Sequence, residues 1–423
     1  MRNTNKKGFT IVELVIVIAV IAILAAVLIP TFAGIIAKAN QSADQQAVRD
    51  MNTRLAMSSK KPTSVDEVIE ILVAEGYQGD LTTYFAGYSL AWIASENVVV
   101  LVENEAIVFP DKYANKTGFE YIMGVVVDDV DSLLGNLTSG NVIYVSDNIE
   151  ASTKTDLHFN TDGNYALNLN GKTIYTNVPN DVKGYKDGLV VNENSNVVIS
   201  NGTIEGGNDV SQAVAVYDNG KLEIVDTIVT GGAKIAVLAE AGGTVTITDS
   251  KLFGIGTNPV QNYGGTLVLN NVTIAQSGES DGQYYYNSAI LIANLYETRV
   301  EDGKEVNYLT GTQSKTEING GNYSGKNTIF VVATGGDVTI NGGTFTGTDY
   351  VINAGYAQAY EDKDTDNKYS SVITINGGTF NGAIKVTGAS ELVINGGTFT
   401  VDPTEWLAEG KTAELVDGLY IVK

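Results

Sequence analysis

Val338-Thr339-Ile340-Asn341-Gly342-Gly343-Thr344-Phe345 is the phrase on which the fold turns. Branched apolar residues alternate with polar ones, the period of a strand with one buried face, and an Asn-Gly-Gly corner follows. The phrase appears first at residues 198–204, returns at 373–380 and 393–399, and recurs in looser form at 222–228, 245–252, 267–274 and 316–323. A second apolar phrase lies between copies, at 213–217, 235–239, 289–293, 329–333, 351–354 and 383–386. Glycine pairs such as Gly242-Gly243, Gly264-Gly265 and Gly335-Gly336 lead from it into the next copy.

The Asn or Asp after the first strand marks the period. Asp226, Asp249, Asn270, Asn319, Asn341, Asn376 and Asn395 are separated by 23, 21, 49, 22, 35 and 19 residues. Most steps equal one coil. The 35 holds one insert, 358–371, and the 49 holds two, 276–287 and 296–314. Short strands at this period, joined by Gly/Asn turns, describe a single-stranded parallel β-helix, in which each coil buries its apolar edge only against the next. Residues 136–401 are assigned to it, with 167–174 as an early coil, and 402–423, which break the pattern, form a C-terminal cap. Asn tolerates the left-handed conformation at a tight corner and can hydrogen-bond to an Asn stacked above it. The recurring column is therefore read as turn chemistry in preference to a ligand ladder.

Composition narrows the function. The 49 acids and 26 basic residues give a formal net charge of −23, which repels phosphate backbones and argues against nucleic acid as a partner. With no cysteine, disulfides, thiolate metal sites and Cys nucleophiles are excluded. His158 is the sole histidine, and Arg299 is the one arginine in the repeat region, so little is suited to acid/base work near neutral pH. Paired carboxylates of the kind hydrolases need do not stand out from the acidic background. The expectation is a chain that is not an enzyme and needs no cofactor or metal.

The N-terminus is built differently. Residues 1–8 (MRNTNKKG) are polar and basic, and from Phe9 to Ile29 the sequence is apolar apart from Thr10 and Glu13. At about 1.5 Å per residue this segment just crosses a hydrocarbon core about 30 Å thick. The preceding lysines hold that end cytoplasmic and place the chain beyond Pro30 outside. Glu13 costs about 2.5–3.5 kcal/mol in such a helix unless it has a partner. Cleavage between Gly8 and Phe9 would create an α-ammonium four residues away. In a helical stack, Glu13 of one subunit could meet that amine on its neighbour and fix the axial register. The helix should run on to residue 61, kinked at Pro30, with Phe32, Ile35, Ile36, Ala39, Ala43, Ala47, Met51 and Leu55 as its apolar stripe.

The order Lys6-Lys7-Gly8, then Phe9-Thr10-Ile11-Val12-Glu13-Leu14, then an apolar run to Pro30 resembles the class III signal and N-terminal helix of type IV prepilins and type II secretion pseudopilins. That resemblance implies a prepilin peptidase that cuts after Gly8 and methylates Phe9, with Glu13 directing assembly. The implied partners are other pilin-like subunits, a pilus or secretion assembly platform, and the membrane. The location is first the cell membrane, then a surface filament. The repeat text also resembles, more loosely, right-handed β-helix surface domains of the pectate-lyase-like class.

Between these parts, residues 62–135 read as a small α+β unit. Ser64 and Glu67 form a capping box for a helix over 65–75, and strands at 88–94, 98–103 and 106–109 make an antiparallel meander. The full order is thus a leader (1–8), a transmembrane and assembly helix (9–61), this unit, the coils and the cap. Tyrosines gather in the inserts: Tyr284, Tyr285 and Tyr286 in one, Tyr296 and Tyr308 in the next, then Tyr356, Tyr360 and Tyr369. They are read either as ordinary polar loops or as a surface for a glycan or host receptor. The leading reading is a minor or tip subunit displaying an acidic β-helix. The alternatives are a cell-anchored polysaccharide-active enzyme and a pseudopilin of a secretion or DNA-uptake machine.

Overall fold

The computed structural model describes residues 35, 38–77, 81, 88–122, 124–151, 157–159, 161–176, 187–192, 194–207, 210–231, 235–255, 258–278, 287–294, 296–301, 304–309, 313–332, 336–356, 371–387 and 390–423. The chain is mainly β and divides into two compact units, Met1–Gly124 and Val125–Lys423.

In the first unit helix α1 (38–57) accompanies a four-stranded antiparallel sheet of order β3-β2-β1-β4. Its strands are β1 (Ser89–Ile93), β2 (Val98–Glu103), β3 (Ala106–Phe109) and β4 (Glu120–Tyr121). Asn97, Asn104 and Glu105 take positive φ at the two turns of the expected meander. Asn52 of α1 clamps Val99: its Nδ2 donates to the Val99 carbonyl at 2.9 Å, and its Oδ1 accepts from the Val99 N–H at 2.7 Å.

The buried row of α1 is Asp44, Val48, Met51 and Leu55, whereas Ala39 and Ala43 are exposed and Ile35 is 57% exposed. Met51 and Leu55 of the stripe read from the sequence are buried as expected, while Asp44 and Val48 replace Ala43 and Ala47. The two rows share Met51 and Leu55 and part only above them, where Val48 is larger than Ala47 and takes the core, carrying Asp44 with it. Burial raises the Asp44 carboxyl above its ordinary range, and neither of its oxygens has a hydrogen-bond partner.

Helix α2 (Val65–Ala74) is capped by Ser64, whose hydroxyl accepts from the Glu67 N–H at 3.3 Å. The Glu67 carboxylate accepts from the Thr63 N–H at 2.6 Å, one residue short of the reciprocal arm of a full capping box. The Thr63 N–H, the Thr63 hydroxyl, which donates to the same oxygen at 2.8 Å, and then Lys60 hold the Glu67 carboxyl down to about 2.

The second unit contains three stacks of strands, each paired in parallel with the strand one coil on. In the first stack Ile199, Ile224, Ile247, Leu269, Ile318, Ile340, Ile375 and Ile394 stand in one register column. All eight are fully buried. At roughly 1.5–3 kcal/mol for each side chain removed from water, such columns hold the stack together, and no single coil could form one alone. The topology is compatible with the parallel β-helix expected from the repeats.

The parallel sheet starts earlier than the repeats become legible. Strand β5 (Val125–Val127) already pairs in parallel with Val142–Val145, and helix α3 (Val130–Asn136) lies between them behind an Asp129–Ser132 capping box. At the other end a hairpin, Ala413–Val416 and Leu419–Val422, runs antiparallel to Gly397–Phe399, and Leu407 bridges Ile394. These segments pair the edges of the last rungs in the first two stacks.

Candidate functional site

The tyrosine inserts are placed only in part. Tyr296–Glu301 and Lys304–Leu309 form an antiparallel hairpin in which Glu297 faces Tyr308 and Tyr296 faces Leu309. Tyr356 ends the long strand Gly336–Tyr356. Tyr284, Tyr285, Tyr286, Tyr360 and Tyr369 lie outside the described residues.

The third stack carries a group that sequence reading missed. In the central coils its strands are buried on both faces: Ser288–Ala293 and Gln212–Val216 are buried throughout, whereas His158 and Lys385 are exposed in the first and last strands. Val214, Val237 and Ile290 belong to the central core, while Ala215, Leu238, Leu291 and Phe330 alternate with such inward residues and are at most 4% exposed. Ala215, Ile235 and Leu238 make a separate apolar cluster against which Tyr217 and Tyr263 pack. Glu240 pairs in register with Tyr263, and Tyr217 follows Val216, the partner of Ala239, so the three occupy consecutive coils. The Tyr217 hydroxyl donates to Asp187 Oδ2 at 2.7 Å. Burial, then the charges of Asp187 and Asp218, push the Glu240 carboxyl above its ordinary range. Two half-buried rings flanking a carboxyl that holds its proton unusually well can stack on an apolar ring and hydrogen-bond its substituents. Tyr217, Glu240 and Tyr263 recur at 23-residue steps, the coil period itself, and that spacing could have revealed them.

The corner column behaves as turn chemistry in the early coils. Asn201, Asp226, Asp249 and Asn271 sit at φ between 44° and 58°. Among the described residues no group of three or more His, Asp or Glu is placed to hold a metal. His158 lies in strand Leu157–Phe159 with its side chain exposed.

Gly8, Phe9, Glu13 and Pro30 lie outside the described residues, and so does the apolar segment that contains Glu13. No helix among the described residues is long and apolar enough to cross a membrane. Residues 3–29 match a family model described as a prokaryotic N-terminal methylation motif. That span includes Gly8, Phe9 and Glu13, and it supports a type IV pilin-like or pseudopilin character for the chain. A motif of this type implies processing by a prepilin peptidase and assembly with other pilin subunits, first at the membrane and then in a filament. No curated protein and no solved structure matches the chain.

Proposed function

We propose that the chain is a minor or tip subunit of a type IV pilus-type filament that displays a parallel β-helix at the cell surface for attachment. The observation that carries this reading is the methylation motif at 3–29 in the same chain as a coil stack that spans Val125–Lys423. Gly8 and Phe9 are the leader junction, Phe9 is the methylated residue, and Glu13 pairs with the Phe9 amine of a neighbouring subunit. Pro30 kinks the helix as it leaves the membrane. The coils are right-handed, the hand that crossovers between parallel strands take in nearly every case. So large a display unit would crowd a thin filament if every subunit carried it, which favours sparse incorporation.

The chain acts by binding and display without catalysis. Its ligand, a glycan or a receptor, meets the inserts that carry Tyr284–Tyr286, Tyr296, Tyr308, Tyr356, Tyr360 and Tyr369. Glu13→Ala is expected to leave cleavage after Gly8 intact while removing the protein from sheared fibres. Equal incorporation of the variant would overturn the assembly role. Turnover of a polysaccharide by the purified chain would instead favour a surface-anchored enzyme.

A further inference from the structure

The second stack changes character in its last four coils. Residues 319–324, 341–346, 376–381 and 395–400 contain no Asp, Glu, Lys or Arg, in a chain of formal net charge −23. Tyr323, Phe345, Phe380 and Phe399 point inward and stack at 4.8 Å between ring centroids. Their strand neighbours must therefore point outward. Asn322, Thr344, Thr379 and Thr398 form one outward column by register, and Ser324, Thr346 and Asn381 form a second, which Thr400 continues. All are exposed or half-exposed. Each carries a hydroxyl or amide that can both donate and accept a hydrogen bond.

Beside the second column lies a groove of about 380 Å³, lined by Gln276, Ser324, Gly325, Lys326, Thr346 and Thr348. No carboxylate is among the lining residues.

We propose that this face and its groove bind an extended, neutral polysaccharide. An anionic polymer would be repelled by the net charge of the chain, and a cationic one would find no carboxylate in these columns. A neutral sugar chain offers hydroxyls that donate and accept in the same way, at a repeat comparable to the coil spacing. Many weak hydrogen bonds in register then replace water. The proposal rests on the display reading only for access to the glycan. A binding failure would leave the N-terminus at Phe9 unaltered, whereas a failure of display appears as an uncut leader.

The test is calorimetric titration of the full purified chain with neutral hexasaccharides of β-1,4-glucose, α-1,4-glucose and β-1,4-mannose, and with a hexamer of galacturonic acid. At least one neutral sugar should bind and the acidic one should not. Thr346→Glu and Thr379→Glu should each weaken binding at least tenfold, and Thr346→Val by a smaller factor. Thr246→Glu, on the first stack, should leave it unchanged. Unaltered melting of each variant excludes misfolding. Three results would overturn the proposal: no neutral hexasaccharide binds, the Thr346 and Thr379 variants bind as before, or self-association replaces sugar binding.

Discussion

The corners after the first strand are built in two ways along one parallel sheet. In the early coils a left-handed Asn or Asp turns the chain, and the next residue buries its own side chain: Thr227, Ser250 and Val272 are at most 2% exposed. Two residues further on stands an aliphatic: Val229, Leu252, Ile274. In the late coils the equivalent corner residue is glycine, at φ between 105° and 120° in Gly321, Gly343, Gly378 and Gly397, and two residues on stands an aromatic. A Cβ on Gly343, Gly378 or Gly397 would come within 3.2–3.3 Å of the ring of Phe345, Phe380 or Phe399. The ring occupies the space that the corner side chain fills elsewhere. The volume of the corner is thus conserved and its contributor changes, as close packing demands.

The exposed side of the corner follows the same division. In the late coils each Asn Nδ2 donates to the Asn Oδ1 of the preceding coil: Asn319 to Asn270 at 3.0 Å, Asn341 to Asn319 at 2.7 Å, Asn376 to Asn341 at 2.9 Å and Asn395 to Asn376 at 3.0 Å. Early on, the ladder is broken and mixed. Asn270 donates to Thr248, and Asn271 donates to Asp249. The Asn-on-Asn ladder runs unbroken where the repeat is nearly exact.

Phe380→Ala should break this arrangement hardest, because it opens a cavity between two stacked rings. A loss of about 3–5 kcal/mol is expected in the protection of the late coils, read by hydrogen exchange. Gly378→Ala forces a Cβ at φ +116° within 3.0 Å of the Gly343 carbonyl, and should cost about 1–3 kcal/mol. Adding Phe380→Leu to Gly378→Ser, which rebuilds an early corner in a late coil, should cost less than the sum of the single changes. Additivity in that double-mutant cycle would refute the exchange of ring for side chain.

Asn376→Ala removes two exposed ladder bonds and should cost about 1 kcal/mol. The mildest effect is expected in the early coils at Glu240. Its folded pKa lies above the ordinary 4.5, so the folded chain holds a proton that the unfolded chain releases. Stability from this group is full below the unfolded value and declines as pH rises through the raised folded value. Glu240→Gln should flatten that decline slightly in a pH series of melting curves.

Much of this was legible beforehand. The ladder bonds span 49, 22, 35 and 19 residues, the intervals counted from the corner Asn alone. One marker slipped: Asp249 aligns with Asn271, not Asn270, because Thr248 pairs with Asn270 and adjacent asparagines cannot be told apart by spacing. Strand β5 lies outside the coils read from the sequence, which start at 136, because its Val-Val-Val lacks the corner phrase. The third stack was legible as the second apolar phrase, but its burial on both faces in the central coils was not, since a run such as Ser288–Ala293 shows no alternation to separate inward from outward. The sequence reading leaves Asp44 off the buried row because a carboxylate is the last residue expected there.

The central claim joins this solenoid to a processed membrane helix, and the mass of the mature N-terminus tests it most directly. Protein recovered from sheared surface fibres should begin at Phe9 and carry one added methyl group on its α-amine. An intact Met1, or a first residue beyond Ile29, would contradict the account and leave a β-helix delivered to the surface by another route.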